Sequence, residues 1–159
     1  MDKPVPNTIT TDQLRASAMA RQAFAFWFAD HGHVRSPFPQ YLRDELREVA
    51  LAAYKRWLSQ LDPKAQEEMT EEVAFSKFEE LMFHEAVRLV RSEDEALTLR
   101  FPFLPRVGDR IHGGAIEGRS GDNILRKRTL VREDKDEFLL VKAEHMASGE
   151  EWETRFELP

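Results

Sequence analysis

Four large aromatic residues within five consecutive positions constrain this fold more than any other feature of the chain. They belong to the stretch Ala23-Phe24-Ala25-Phe26-Trp27-Phe28-Ala29. At about 100° per residue, a helix here turns Phe24 and Trp27 to one face. A helix with a broad aromatic face and small side chains on the opposite face requires neighbours on more than one side. The back of this helix carries three small residues, Ala18, Ala25 and Ala29.

The aromatic stripe predicts a central core helix, because the core is the usual place of Phe and Trp side chains. An interface with a partner protein or with a second copy of the chain is the alternative, since large exposed apolar patches usually mark contact sites. The interface candidates are Phe26, Trp27 and Phe28. A polar residue in place of Trp27 separates the two hypotheses: an unfolded product indicates a core, and a folded monomer indicates an interface.

Length and composition are those of one soluble globular domain. Of the 159 residues, 42% are apolar and 33% are charged, which excludes the compositions typical of disordered, collagen-like and membrane proteins. Disulfides, thiolate catalysis and cysteine-ligated metal sites are excluded because the chain has no cysteine. The start of the sequence lacks the basic residues and apolar core of a signal peptide. We expect a cytoplasmic protein that does not enter a membrane.

Charge is unevenly distributed along the chain. The net charge of −6 argues against a general nucleic-acid binder. Basic residues are nevertheless concentrated in residues 106–132, which include the run Arg126-Lys127-Arg128. Strand alternation sends Lys127 to the face opposite its two neighbours, so this run is not one patch. Nucleic acid is therefore not the favoured partner.

The N-terminal part, residues 1–95, is predicted to form three helices. The first helix begins near Thr10 or Thr11, whose hydroxyl groups suit an N-cap. It ends near Gly32, a residue suited to the left-handed conformation that closes helices. The second helix covers residues 40–61, where apolar residues recur at spacings of three and four.

The third helix begins after Asp62 and Pro63, a pair typical of an N-cap and the first helical position. It extends to about residue 91, either continuous or broken near Met69 and Thr70. Because the link between them is short, the second and third helices are expected to pack antiparallel as a hairpin.

After residue 95 the spacing of apolar residues changes from about 3.6 to 2, which indicates strands. Helices followed by strands predict an α+β fold, with the helices packed on one face of an antiparallel β-meander of four to five strands. We expect a single domain over residues 1–159, with a mainly helical part (1–95) and a sheet (96–159). The predicted strands are residues 97–101, 106–111, 123–133, 136–146 and 150–158.

Hairpin turns predict a register for the last three strands. If residues 134–136 and 147–149 form three-residue loops, the even-numbered residues of these strands share one face. A shift of one residue would reverse the two faces. One end of the even-numbered face is apolar, and the other end gathers six candidate ligand or partner residues, Arg126, Arg128, Lys142, Glu144, Trp152 and Thr154.

These six residues have two interpretations. In the first, they bind an anion or a polar ligand, since arginines offer planar donor forks and Trp152 offers a stacking surface. In the second, the face is open to solvent and Arg126 pairs with Glu144 across two strands. A concave cavity lined by Trp152, Thr154, Arg126 and Arg128 indicates a pocket, and a flat open face indicates a binding module.

Motifs for catalysis are lacking. The glycines of residues 113–121 do not have the spacing of a phosphate-binding loop, and no serine lies in a nucleophile elbow. Glu85 falls inside the apolar arc of the third helix. It is either a buried general base or an edge residue that reaches Arg88 one turn further on. Catalytic residues therefore stay unassigned, and no cofactor is expected.

Histidines provide the only hint of a metal site. His31 and His33 could supply two ligands, and Asp109 with His112 two more. Nothing in the sequence brings these segments together, so no metal is expected. Histidines at the end of a helix are explained more simply by contact with the terminal carbonyl groups.

The first hypothesis for function is a non-enzymatic module that binds a protein partner or itself, with a homodimer as one form. The alternative is a small-ligand pocket protein or an enzyme, with a half-polar cavity on the sheet face that suits an anionic small molecule. The second alternative is nucleic-acid binding through residues 106–132, which predicts an affinity that falls steeply with salt.

Overall fold

A computed structural model describes residues 9–32, 35–111 and 121–158. His33, His112 and residues 113–120 of the glycine-rich segment lie outside the described residues. The chain divides into two compact units, a helical unit (residues 1–100) and a sheet unit (residues 101–159). The α+β class is confirmed. The single domain and the packing of helices on one sheet face stay predictions.

More helices are present than the three expected from the sequence. No helix in the described ranges is long and apolar enough to cross a membrane. The described residues form α1 (Thr11–Ala16), α2 (Ala18–Trp27), a short 3-10 helix (Gln40–Leu42), α3 (Arg43–Gln60), α4 (Pro63–Glu68), α5 (Glu71–Leu89) and α6 (Glu93–Arg100), followed by β1 (Arg110–Ile111), β2 (Asn123–Glu133), β3 (Asp136–His145) and β4 (Glu151–Glu157).

The predicted first helix is broken at Ser17. Thr10 caps α1 as expected, in a capping box with Gln13. Ser17 is extended, and its hydroxyl accepts a hydrogen bond from the N–H of Ala20. A serine that bonds the backbone in this way competes with a continuous helix, which explains the break. Gly32 takes the predicted left-handed conformation, with φ of 58°, but α2 ends earlier than predicted, at Trp27.

The predicted third helix is also divided. Asp62 is the N-cap of α4 and Pro63 is its first residue, as predicted. Met69 ends α4 in an extended conformation, and Thr70 caps α5 by accepting from the N–H of Val73. The break near Met69 and Thr70, which the sequence left open, is therefore present.

The core of the helical unit is aromatic and aliphatic. Tyr54 of α3 and Phe78 of α5 pack with ring centroids 5.5 Å apart. Phe78 also meets Phe24 of α2 at 5.5 Å. The aromatic helix therefore packs against its neighbours through its front face, as the apolar stripe predicts. The largest fully buried side chains of this unit are Phe38, Leu42, Leu46, Leu51, Phe78 and Met82.

Residues 97–101 were predicted as a strand, but residues 97–100 instead form the second half of α6. Ser92 accepts a hydrogen bond from the N–H of Glu95, and the Glu95 carboxylate accepts from the N–H of Arg91. This arrangement caps the helix start, and three acidic residues in the first turn suit the positive end of the helix. Leu97 and Leu99 alternate over too short a segment to outweigh these capping signals.

The sheet unit is an antiparallel meander in the order β1-β2-β3-β4. This architecture and the number of four strands lie within the prediction. The short β1 pairs with the start of β2, with Arg110 opposite Ile124. The N–H of Leu125 also bonds the carbonyl of Asp109 at 2.9 Å, so the segment before β1 belongs to the sheet unit.

Candidate functional site

The turn between β2 and β3 is shorter than predicted. Glu133 pairs with Asp136, which leaves a two-residue loop of Asp134 and Lys135. Asp134 has a positive φ of 52°, the conformation that a tight turn of this kind requires. The predicted three-residue loop is therefore wrong, and the register moves by one residue. Leu130 faces Leu139 in place of the predicted Leu140.

A β-bulge changes the alternation of β2. Leu125 pairs with Ala143 and Lys127 pairs with Lys142, so Arg126 is the extra residue. An inserted residue reverses the side-chain alternation on its strand. On β2, the odd-numbered residues before the bulge and the even-numbered residues after it therefore share one face. No sequence signal marked this position.

The hairpin between β3 and β4 is also shifted by one residue. Glu144 pairs with Glu151 and Val141 with Thr154, whereas the predicted partners were Trp152 for Glu144 and Lys142 for Thr154. Gly149 in this loop has a positive φ of 76°. The loop is one residue longer than predicted, because the backbone N–H of Gly149 bonds the carbonyl of His145 at 2.8 Å.

The six candidate residues are consequently divided between two faces of the sheet. Pairing across three strands defines each face. The Arg128 face carries Asn123, Leu125, Arg128, Leu139, Val141, Ala143, Trp152, Thr154 and Phe156. The Lys142 face carries Lys127, Leu140, Lys142, Glu144, Glu151 and Glu153, together with the bulged Arg126.

On the Arg128 face, Arg128 and Trp152 are hydrogen-bonded within the protein. Arg128 is only 7% exposed. One of its terminal nitrogens donates a hydrogen bond of 2.9 Å to the carbonyl of Pro105. The indole N–H of Trp152 donates to the side-chain oxygen of Asn123 at 2.9 Å. These bonds satisfy buried donors, which is the ordinary role of polar groups inside a protein.

On the Lys142 face, charges are paired across strands. Arg126 donates to the carboxylate of Glu144 at 2.7 Å, as the solvent-exposed interpretation predicts. Lys142 lies 3.5 Å from the carboxylate of Glu151. A small open depression of about 110 Å³ lies beside them, lined by Lys127, Thr129, Leu140, Lys142 and Glu153.

A single cavity lined by Trp152, Thr154, Arg126 and Arg128 does not form, because Arg126 lies on the opposite face from the other three. Three candidates share the Arg128 face, and the other three share the Lys142 face. These four residues therefore do not form the concave cavity that the pocket hypothesis requires.

The basic segment 106–132 carries carboxylates beside its described cations. Arg110 lies 3.9 Å from Asp122, and Arg132 lies 3.5 Å from Glu137. Within the run Arg126-Lys127-Arg128, only Arg128 is buried, whereas its two predecessors are exposed. The prediction that Lys127 would lie apart from both neighbours is wrong, because the bulge puts Arg126 on its side.

Trp27 and Phe28, two of the three interface candidates, pack against the core of the helical unit. The ring of Trp27 meets Phe83 at a centroid distance of 4.8 Å. Its N–H donates to the carboxylate of Glu79 at 2.6 Å. Phe28 stacks on Phe24 at 5.4 Å.

Phe26, the third candidate, is 51% exposed. Its ring stacks on the imidazole of His31, with centroids 4.7 Å apart and planes 18° apart. The Nε2 atom of His31 lies 2.8 Å from the carbonyl oxygen of Phe26, which confirms the predicted contact of His31 with a helix-end carbonyl. Phe26 and His31 therefore form an aromatic platform at the end of α2.

Two open depressions on the exposed side of α2 were not predicted. The first, of about 370 Å³, is lined by Ala18, Arg21, Gln22 and Ala25. The second, of about 380 Å³, is lined by Arg15, Arg21, Phe24, Ala25 and Arg47. Arg21 lies between them. The small residues on the back of the helix were visible in the sequence, but the arginines come from three helices and meet only in the folded unit.

The arginines around the second depression differ in their bonding. Arg15 forms two hydrogen bonds of 2.7 Å to the carboxylate of Glu48. These bonds raise the pKa of Arg15 and keep it charged. Arg47 pairs with Asp44 at 2.8 Å, and its guanidinium lies 5.0 Å from the centre of the Phe28 ring. Arg21 has no ion pair within the described residues.

The remaining candidates have structural contacts. Glu85 is largely buried and lies 3.5 Å from Arg88, the edge contact that was one of its two interpretations. No group of three His, Cys, Asp or Glu residues in the described ranges could hold a metal ion. No protein-family model, curated protein or solved structure matches this chain. Function therefore has to be argued from the surfaces themselves.

Proposed function

We propose that this chain is a protein-interaction module whose docking surface is the exposed side of α2. The partner is a helical segment that carries carboxylate groups. The observation that carries this proposal is Arg21, an arginine without an ion pair in the described residues, set between two open depressions. The proposed role is binding and not turnover.

The shape of this surface suits a helix. Ala18 and Ala25 are exposed and lie seven residues apart, so they occupy the same side of α2 two turns apart. Small residues let the backbone of a second helix approach closely, and the side chains of that helix can enter the two depressions. Helix-in-groove binding of this kind uses anchors at spacings of three, four and seven residues.

The charge of the surface selects the partner. Arg15 and Arg47 already hold carboxylates of their own chain, at 2.7 Å from Glu48 and 2.8 Å from Asp44. Arg21 is the guanidinium left to bind a carboxylate from outside. Guanidinium groups bind carboxylates through two parallel hydrogen bonds, which gives direction as well as attraction.

The platform of Phe26 and His31 adds an apolar edge to the same helix. An aromatic ring that is 51% exposed gains free energy when a partner covers it. Aromatic residues and arginines are enriched among the residues that dominate binding energy at interfaces. The lack of cysteine in the chain suits a cytoplasmic partner.

Photo-crosslinking from a single position tests the proposal. A photoreactive amino acid in place of Ala25, in the protein expressed in cells, should give a discrete adduct whose linked peptide carries Asp or Glu. The control is the same substitution at Ala52, which is exposed on α3. Arg21→Glu should remove the Ala25 adduct. Equal adducts from both positions, no adduct, or a linked peptide without carboxylates would refute the proposal.

A further inference from the structure

We infer that the partner on the exposed side of α2 is a second copy of this chain, and that the acidic start of α5 is the part that docks. The inference rests on the proposed docking surface and names its occupant. It predicts a symmetric homodimer held by two identical contacts. In each contact, the guanidinium of Arg21 meets glutamates of the other copy.

The acidic start of α5 and the preceding end of α4 form an unusual surface. Four glutamates lie within six positions, and all four are exposed and without an ion pair in the described residues. Within this acidic surface Val73 is 53% exposed, although it is apolar. The glutamates are Glu67, Glu68, Glu71 and Glu72.

Helix electrostatics explain only half of these charges. Glu71 and Glu72 lie in the first turn of α5, where the positive end of the helix favours acidic residues. Glu67 and Glu68 lie in the last turn of α4, where the helix end disfavours them. The exposed Val73 has no explanation of this kind. A partner surface that is positive and has apolar depressions accounts for all five residues.

The two surfaces complement each other in charge and in shape. On α2, Arg21 and Ala25 line both depressions, and Ala18 also lines the first. On α5, an apolar side chain follows directly after two carboxylates. A valine side chain is small enough to enter a depression of about 370 Å³, which places the neighbouring glutamates beside Arg21. Opposite charges across an interface also exclude wrong partners.

The positions of the two surfaces within one unit suit a two-fold axis. Phe24 of α2 contacts Phe78 of α5, and Trp27 contacts Phe83, so the two helices run in the same direction side by side. Their N-terminal halves therefore lie toward the same end of the helical unit. When two complementary surfaces lie at one end of a molecule, a two-fold rotation can place each against the other surface of the second copy.

Duplication of the contact also matters for stability. A helix of ten residues is about 15 Å long, so one contact along α2 covers only a small area. Specific interfaces usually bury more than about 1,000 Å² in total. The symmetric arrangement doubles the buried area, because the same two surfaces of each copy are used twice.

Charge reversal with light scattering tests the inference on the purified full chain. We expect wild type to form a dimer over a dilution series. Arg21→Glu and Glu72→Arg, each alone, should raise the dimer Kd at least about tenfold, because like charges then face each other in both contacts. Circular dichroism of each variant shows that it remains folded.

Rescue makes the test specific. In an equal mixture of the two single variants, a mixed dimer has one contact in which both charges are reversed and attract again. Its second contact keeps the natural charges. The double variant Arg21→Glu/Glu72→Arg restores opposite charges in both contacts. Mixture and double variant should each return the Kd to within about threefold of wild type. Glu45→Arg, which also reverses an exposed glutamate in a first helical turn, is the matched control and should leave the dimer unchanged.

Failure of this inference differs from failure of the proposed function. A wild-type monomer at every concentration, or a dimer that ignores both charge reversals, overturns the inference. If the Ala25 position then still forms an adduct with an acidic segment of another protein, the docking surface stands and its occupant is different. If no such adduct forms, the proposed function fails as well.

Discussion

The indole N–H of Trp27 donates a hydrogen bond of 2.6 Å to the carboxylate of Glu79 and joins α2 to α5. The ring itself packs against Phe83 and Phe38. Trp27 is therefore held both by apolar contacts and by its one polar atom. Its neighbour Phe26 points outward and is 51% exposed. Of these two adjacent aromatic residues, Trp27 thus belongs to the core and Phe26 to the surface.

Substitution by serine should separate these two positions. Trp27→Ser should lower the free energy of unfolding by about 3 kcal/mol, because it removes a large packed ring and leaves Glu79 without its donor. Phe26→Ser should lower it by less than about 1 kcal/mol, as expected for an exposed side chain. Urea unfolding followed by far-ultraviolet circular dichroism measures both. Equal losses at the two positions would contradict the structure.

Arg128 and Lys127 form a second matched pair, because they are adjacent and face opposite sides of the sheet. Arg128→Met keeps an apolar stem but removes the donor to the carbonyl of Pro105. We expect a loss of about 1–3 kcal/mol in unfolding free energy, the usual cost of a buried acceptor left without its donor. Lys127→Met should change stability by no more than about 0.5 kcal/mol. The opposite ranking would show that the register is wrong.

The pair of Arg126 and Glu144 should contribute little despite its short distance of 2.7 Å. The Arg126 side chain is 54% exposed, and exposed ion pairs are screened by water and salt. A double-mutant cycle with Arg126→Ala and Glu144→Ala should give a coupling below about 1 kcal/mol that decreases in high salt. A coupling several times larger would indicate an organised site instead of an open sheet face.

Tyr54 makes stability depend on pH in the alkaline range. Burial raises the pKa of Tyr54 above its usual value of about 10. The unfolded chain therefore releases this proton at a lower pH than the folded chain. The contribution of the Tyr54 proton to stability is fully present below about pH 10. It is lost as the pH rises from the pKa of Tyr54 in the unfolded chain toward its pKa in the folded chain. Tyr54→Phe should reduce this alkaline loss, which urea unfolding at a series of pH values measures.

Tyr41 provides the control for this titration. Desolvation, and then its hydrogen bond to Glu95, raise the pKa of Tyr41. The chain has two tyrosines, so each Tyr→Phe variant leaves one that titrates. Tyrosinate absorbance of Tyr41→Phe then reports Tyr54 alone. If Tyr54→Phe loses as much stability at alkaline pH as wild type does, other groups cause that loss.

Local signals in the sequence were sufficient for several helix starts. Thr10, Asp62 and Thr70 cap helices in the structure through their own side chains, and these bonds involve neighbours three residues away. Such contacts need no knowledge of the fold. The same kind of signal is present for α6 in Ser92 and Glu95, but the alternating leucines that follow are typical of a strand.

The sheet register needed information that is not local. It depends on the conformation of Asp134, on the bulge at Arg126 and on the longer loop between β3 and β4, and each of these shifts the pairing by one residue. A shift of one residue moves every side chain of a strand to the other face, so three small errors divided the candidate site. The arginines around α2 are a further case, because Arg15, Arg21 and Arg47 come together only through helix packing.

The turn at Asp134 provides the last test, because it determines the register of β2 and β3. Its φ of 52° lies in the left-handed region, which glycine, Asn and Asp tolerate and β-branched residues do not. Asp134→Gly should therefore keep the turn, whereas Asp134→Val should cost about 1–2 kcal/mol of unfolding free energy. Lys135→Val, at the neighbouring turn position without a positive φ, should cost less. If urea unfolding shows that valine is tolerated equally at both positions, the turn does not have the two-residue form that sets this register.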